Sequence, residues 1–293
     1  MRPAQGFALS VLAALSACRA APVPDTIAIE VMRELSSKPY QGREAGTPGA
    51  QMAHDYLKER LEGLGCLEIE SKSFSFGDEG LEGQNLFGGI LAGDDNATGL
   101  IISAHYDHLG IRDGKVFNGA DDNASGVGAA LAIAESFCEV RPKHNVIFAF
   151  FDAEEKGLAG AKDMVDDYSD ERAFLMNLDM VSQNADGVIY ASGTRHYPEV
   201  REIIEALEFD DVTVKFGHDD PADAANDWTT MSDHAPFHAA GIPYVYFGVE
   251  DHAHYHKASD EFETVPLAQY VKFVDALEQV ARALDANLLV LTD

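Results

Sequence analysis

The chain has 293 residues, 46% of them hydrophobic, which is enough for a substantial core and argues against disorder. Its 50 acidic and 21 basic residues give a formal net charge of −29, so the basic footprint that nucleic-acid binding requires is missing. Such an acidic surface favours solubility and attracts cationic groups, a protonated amino terminus among them.

Residues 1–17 read as an export signal. Arg2 supplies a weak basic start, and "FALSVLAALSA" is an apolar run too short to span a membrane. "LSAC" (Leu15, Ser16, Ala17, Cys18) resembles a bacterial lipobox, whose cysteine is lipidated and becomes the mature amino terminus. Arg19 follows it, where an inner-membrane retention signal would place Asp. The expectation is an outer-membrane lipoprotein or periplasmic protein, anchored to the membrane only through Cys18. Cleavage after Ala20 with secretion is the alternative. Residues 18–24 would then be a short linker and residues 25–293 a single domain. Removing Cys18 leaves Cys66 and Cys138, and a disulfide and two free buried thiols are both open.

In the domain, residues 26–35 predict a helix. "QGREAGTPGA" (41–50) is a turn, with Thr47 as N-cap and Pro48 at the first helical position. Residues 49–64 have helical periodicity and stop at Gly65. "CLEIESKSFSF" (66–76) alternates as a strand with one wet face, and 84–92 is a further strand. "GLIISAHYD" (99–107), "NVIFAFFDAEE" (145–155), "AFLMNLDM" (173–180) and "GIPYVYFG" (241–248) are apolar runs of buried strands. Helices are expected over 124–138 and 266–286. Strands alternating with helices predict an α/β fold in one globular domain, with a mixed, mostly parallel central sheet and helices on both faces. The alternating early strands predict an antiparallel portion at one edge.

Three of these strands run out into imidazole or carboxylate groups: "SAHYD", "FFDAEE" and "NLDM". In open α/β sheets the ligand crevice lies at the carboxyl ends of the strands, so these groups should converge there. His105 and Asp107, two apart on a strand, face one side, and the carboxylate can orient the imidazole for a metal. Taken alone, each motif has a plainer reading. "FNGADDNASG" (117–126) can be a turn and helix cap, and Glu154–Glu155 an acidic helix start. Asp179 at the end of a buried strand needs a partner or a cation. "DHAHYHKASD" (251–260) adds three histidines in a polar loop. Together, histidine and carboxylate groups without thiolates suit zinc or a similar divalent ion. Two such ions about 3.5–4 Å apart, bridged by a carboxylate, form a standard hydrolytic arrangement.

The ordered set "GREAGTPG…HYD…GADDNASG…DAEEKG…NLDM…SDHAPF…YHKASD" resembles the co-catalytic zinc exopeptidases. That family includes secreted leucine aminopeptidases, aminopeptidase Y, glutamate carboxypeptidase II and glutaminyl cyclase. The resemblance covers about residues 41–265. It implies that His105 and Asp179 bind one zinc, that Glu155 and His256 bind the other, and that Asp122 bridges both. Cobalt or manganese could replace zinc. Glu154 would be the general base and Asp107 would orient His105. Asp121 would hold the loop. His256 is preferred to His252 and His254 because it fits "YH-x-x-x-D", which ends at Asp260, and His234 is a weaker rival. The implied reaction is hydrolysis of the first peptide bond of peptides with a free amino terminus, by a hydroxide bridging the zinc pair. Met180, Trp228, Met231 or Phe247 could form an apolar pocket for the first side chain, although Phe247 also suits the core.

Three alternatives stand beside this reading. A glutaminyl cyclase-like enzyme shares the fold but typically uses one zinc, and retention of all five ligands favours the peptidase. A carboxypeptidase-like enzyme would carry a lid domain between the later acidic ligand and the last histidine, and residues 180–255 are too few for one. A non-catalytic, receptor-like domain would have lost ligands.

Overall fold

The computed structural model describes residues 23–92, 98–168 and 172–292. The expected signal segment, Cys18 and nearly all of the expected linker lie outside the described residues. Helix α1 (Ile27–Leu35) is capped by Thr26, whose hydroxyl accepts from the Ile29 N–H, and it buries Ala28, Ile29, Val31, Met32 and Leu35. Helix α2 (Pro48–Leu64) has Pro48 in its first turn and ends at Gly65, whose φ of 69° suits a residue without Cβ. Thr47 occupies the N-cap position but does not cap, since its hydroxyl donates to Glu44 O at 2.6 Å. Strands β1 (Glu68–Phe76) and β2 (Leu81–Ile90) form an antiparallel pair.

The chain continues through β3 (Thr98–His105) and a hairpin of β4 (Gly110–Arg112) and β5 (Lys115–Phe117). An irregular turn over 120–125 leads into α3 (Gly126–Glu139). Next come β6 (Asn145–Phe151), α4 (Ala159–Tyr168), β7 (Arg172–Leu178), β8 (Val188–Ser192), α5 (Pro198–Glu205) and β9 (Thr213–Phe216). Then follow α6 (His234–Ala239), β10 (Tyr244–Gly248), α7 (Leu267–Ala286) and α8 (Leu288–Leu291). The hairpin, β8, β9, α5 and α6 have no counterpart among the sequence expectations. They run for three to eight residues, too short for periodicity to mark them.

The main sheet has the order β1-β2-β6-β3-β7-β10-β8-β9. β6, β3, β7 and β10 are parallel neighbours. β1 and β2 form the expected antiparallel margin, and β8 lies antiparallel to β10. The two faces follow from strand alternation. Leu100, Ile102, Phe148, Phe150, Phe174, Met176, Val245 and Phe247 pack with α1, α3 and α7. Ile101, Ala149, Phe151, Leu175, Tyr244 and Tyr246 face the other way and pack against Ala161 and Met164 of α4 and Phe237 of α6. Each large apolar side chain buried in this way contributes about 1.5–3 kcal/mol. Every motif acid expected at a strand terminus lies just past it, because β3 stops at His105, β6 at Phe151 and β7 at Leu178.

Cys66, just beyond α2, and Cys138, in the last turn of α3, form a disulfide with Cα atoms 5.7 Å apart. The bond closes a separation of 72 residues. Replacing both cysteines by serine should lower the unfolding free energy by about 2–4 kcal/mol, mainly by freeing the unfolded chain. Denaturant titration of the double variant against the oxidised protein measures this, and coincident midpoints would show that the bridge contributes nothing.

Candidate metal centre and active site

The four parallel central strands open on one edge, and the loops that follow them close around a single crevice of about 420 Å³. His105 comes from the last residue of β3, Glu154 and Glu155 follow β6, Asp179 follows β7, and His256 lies in the loop after β10. Asp122 comes from the turn before α3. His105 Nε2 is 3.2 Å from Asp179 Oδ1 and 3.5 Å from Asp122 Oδ1. The other Asp122 oxygen, Oδ2, is 3.1 Å from His256 Nε2, which is 3.6 Å from Glu155 Oε1. One carboxylate therefore faces two histidine–carboxylate pairs, one with each oxygen.

The "GADDNASG" turn is held in place by its own side chains. Asn123 Nδ2 donates to Leu178 O, and its Oδ1 accepts from the Gly126 and Met180 N–H groups. A Cβ at Gly126 would strike Leu178 O and the Asn123 side chain, so glycine lets the turn approach the end of β7. Asp260 accepts from the backbone N–H groups of both Asp121 and Asp122. Asp121 is fully buried and ties the turn to the chain after β7. Its Oδ1 accepts from Ser182 N and Oγ at 2.8 and 2.6 Å, and its Oδ2 lies 3.0 Å from His252 Nε2.

Asp107 has further partners besides the imidazole that its spacing predicts. It lies beyond the end of β3, and its carboxylate is 3.6 Å from His105 Nδ1, whereas its backbone oxygen is nearer, at 3.2 Å. The carboxylate also accepts from the Glu154 N–H at 3.0 Å and the Glu155 N–H at 3.3 Å, and so fixes both glutamates. His252 pairs with Asp121, His254 with Ser259 Oγ and His234 with Trp228 O; none of these three histidines makes an ion pair with Asp122, Glu155 or Asp179. Met180 and Met231 line the crevice with Leu158 and Tyr255. Phe247 is buried in the core, and Trp228 stacks on His218 with ring centres 3.6 Å apart.

Three buried residues behind the crevice were not singled out by sequence reasoning. His108, in "HYDH", is fully buried with Nδ1 2.9 Å from Glu155 Oε1. Asp233, in "SDH", is buried with neither oxygen hydrogen-bonded. Arg43, in "GREAGTPG", is fully buried and donates to four carbonyls, those of Tyr106, Leu35, Asn118 and Gly119, at 2.6–2.9 Å. The motifs containing them were visible, but burial, which gives each residue its meaning, was not.

Burial and neighbouring charges shift the ionisable groups of the crevice. Burial pushes the Glu154 carboxyl well above its ordinary range, and Asp233, Asp179 and Asp107 reinforce this against the pull of His105. Burial, with His105 opposing and Asp107 and Asp179 adding, raises Asp233 to about 8. Burial and Asp121 raise Asp260 to about 6. His256, bound to Asp122 and Glu155, is pushed up to about 10. Buried polar atoms without hydrogen-bond partners cluster here: both His108 ring nitrogens, Asp121 Oδ2, Glu155 Oε1 and His252 Nε2. Ligand atoms of His105, Glu154 and Asp179 lie within 4.8 Å of one another, as do those of His108, Asp122 and Glu155. Nitrogen and carboxylate donors aimed into one acidic pocket fit divalent cations of the zinc type.

Comparison with known proteins gives this geometry a family. The model of peptidase family M28 matches residues 85–281, and the chain belongs to that family. Leupeptin-inactivating enzyme 1 of Streptomyces exfoliatus is 29% identical over 250 residues, covering 80% of this chain and 52% of that protein. The zinc aminopeptidase BSAP from Bacillus subtilis superposes with a TM-score of 0.72 at 17% identity, over 89% of this chain and 95% of that one. Fimbriiglobus ruber glutaminyl cyclase gives 0.69 at 19% identity, over 93% and 99%. These two structural likenesses establish the fold. The chain spans less than two thirds of the length of the curated relatives it matches, and about half of the first. No helix among the described residues is long and apolar enough to cross a membrane.

Binding of zinc should displace protons. His256, raised to about 10, is protonated at pH 7, yet only its neutral form binds a metal, so loading the metal-free protein should release at least about one proton per chain. Calorimetric titration in buffers of different ionisation enthalpy reads the number. Heats independent of buffer would contradict it.

Proposed function

We propose that this chain is a metal-dependent exopeptidase, an aminopeptidase that removes the first residue of peptides with a free amino terminus. The observation that carries the reading is Asp122, placed between the buried His105–Asp179 pair and the more exposed His256–Glu155 pair, with Glu154 at the crevice. In this reading His105 and Asp179 hold one zinc, Glu155 and His256 hold a second, and Asp122 serves both. Cobalt and manganese fit the same donors. Such an ion pair supplies Lewis acidity to the scissile carbonyl and makes water a nucleophile near neutral pH.

The protein groups do the rest. Glu154 accepts a proton from the attacking water and returns it to the leaving amine, a task suited to a carboxyl whose pKa burial has raised. Asp107 fixes its backbone, and the next residue, Glu155, is fixed by the same carboxylate, so base and ligand keep one spacing. The acidic crevice favours the substrate's ammonium group, and Met180, Met231 and Leu158 offer apolar surface to its first side chain. Residues 25–293 form the proposed catalytic domain, and export with lipidation at Cys18 is proposed from the leader sequence alone.

Glu154→Gln should bind metal as the parent does and lose at least about 100-fold in kcat on aminoacyl nitroanilides. Unchanged turnover would remove Glu154 as the base. Asp122→Ala should lower zinc content below that of the parent by metal analysis. In the parent, chelator-sensitive release from free-amine but not N-blocked substrates supports the aminopeptidase. Cyclisation of N-terminal glutamine without such release would replace it with the cyclase reading.

A further inference from the structure

A second hollow, of about 850 Å³, adjoins the crevice, and His256 lines both. The crevice is lined by carboxylates, but this hollow is lined by Lys38, Lys115 and Lys257. Among the described residues its one acid is Glu261, whose Oε2 accepts from Asn118 Nδ2 at 2.8 Å. Three converging lysines stand out in a chain with 50 acidic and 21 basic residues. Elsewhere surface cations sit with carboxylates: Arg33 with Asp25, Lys156 with Glu44, Arg195 with Asp220. Among the described residues the Lys38 and Lys115 ammonium groups have no hydrogen-bond or ion-pair partner, and that of Lys257 donates only to Ala253 O.

The fold brings these lysines together. Lys115 sits on the tight β4–β5 hairpin, whose turn residues Asp113 and Gly114 both have positive φ. That hairpin packs on the turn after the short 3-10 helix Lys38–Tyr40, where the Gly110 N–H donates to Gly42 O at 3.0 Å. A Cβ at Gly42 would come within 2.4 Å of Phe117 O, so glycine permits the close approach. Lys257 directly follows His256. Arg112 lies opposite Lys115 across the hairpin, and like charges so placed cost stability. An anion in the hollow would offset that cost.

We infer that this hollow is an anionic subsite that takes a carboxylate of the peptide beyond the cleaved bond, either its terminal carboxylate or an acidic side chain. The inference rests on the aminopeptidase reading of the crevice. The ammonium end of a peptide is drawn to the acids of the crevice, and its negative part meets the lysines past His256, so substrate and surface are complementary in both places. A net charge of −29 repels anionic peptides at a distance, and the lysines reverse that field locally. Val116 and Phe117 add an apolar wall.

Matched peptides test this on the zinc-loaded parent. One pair is leucyl-glycyl-glycine and its C-terminal amide; the other is leucyl-aspartyl-glycinamide and leucyl-asparaginyl-glycinamide. One exposed ion pair changes an equilibrium by up to about 5-fold. With several lysines acting together, at least one carboxylate peptide should exceed its neutral match by about 5-fold or more in kcat/KM, through KM. The pair that shows the preference identifies the source of the carboxylate. Replacing Lys38, Lys115 and Lys257 together by glutamine should reduce the preference to within about 2-fold, as should salt at about 0.5 M. The same change at Lys58, Lys143 and Lys272, outside both hollows, should leave it intact. No preference in either pair, a preference that survives the first triple substitution, or one that the second also abolishes overturns the inference. Calorimetric binding of the same peptides to Glu154→Gln, with and without the first triple substitution, separates the two readings. Carboxylate-selective binding that depends on the lysines, in a protein whose parent cleaves no peptide, keeps the subsite and sinks the aminopeptidase. Cleavage without selectivity sinks the subsite alone.

Discussion

The organising constraint is a surplus of buried negative charge. Asp107, Asp121, Asp122, Asp179, Asp233 and Asp260 are buried around one crevice, with Glu154 and Glu155 beside them. Arg43 is the only buried arginine or lysine among the described residues, and its hydrogen bonds go to carbonyls rather than carboxylates. Buried carboxylates must be paired, protonated or bound to metal. Burial among these acids raises the Glu154 and Asp233 carboxyls, and hydrogen bonds to Asp122 and Glu155 raise the His256 imidazole. Divalent cations relieve the same surplus more completely, which couples metal binding to the integrity of the crevice.

The rest of the fold bears the cost of this crowding. The sheet is buried on both sides, so its central strands are anchored by apolar packing before the chain reaches the acids. Four of these acids sit on short segments whose backbone is fixed by another acid. Asp107 holds Glu154 and Glu155, and Asp260 holds Asp121 and Asp122. Arg43 adds its hold on the carbonyls of Tyr106, Asn118 and Gly119, which flank His105, His108 and the turn before α3. Carboxylates that accept from N–H groups stay charged at lower cost, so the same bonds serve geometry and electrostatics.

Membership of peptidase family M28 sets the chemical context, and the fold it shares with an aminopeptidase and a glutaminyl cyclase shows that the scaffold alone does not select the reaction. The selection lies in the residues that line the crevice.

By itself the sequence determined the alternation of long apolar strands with helices, the antiparallel margin and the convergence of charged groups at strand ends. These follow from periodicity and from the rule that ligands sit at the carboxyl ends of parallel strands. It also determined the motifs from which the candidate ligands come, because His105, Asp122, Glu155, Asp179 and His256 stand in recognisable short patterns. Only the tertiary structure decided the rest. The pairing of Cys66 with Cys138 depends on where two helix ends meet. The further partners of Asp107 depend on β3 stopping at His105, two residues before it. Arg43, His108 and Asp233 gain their importance from burial, and burial depends on segments distant in the chain, which no local pattern encodes.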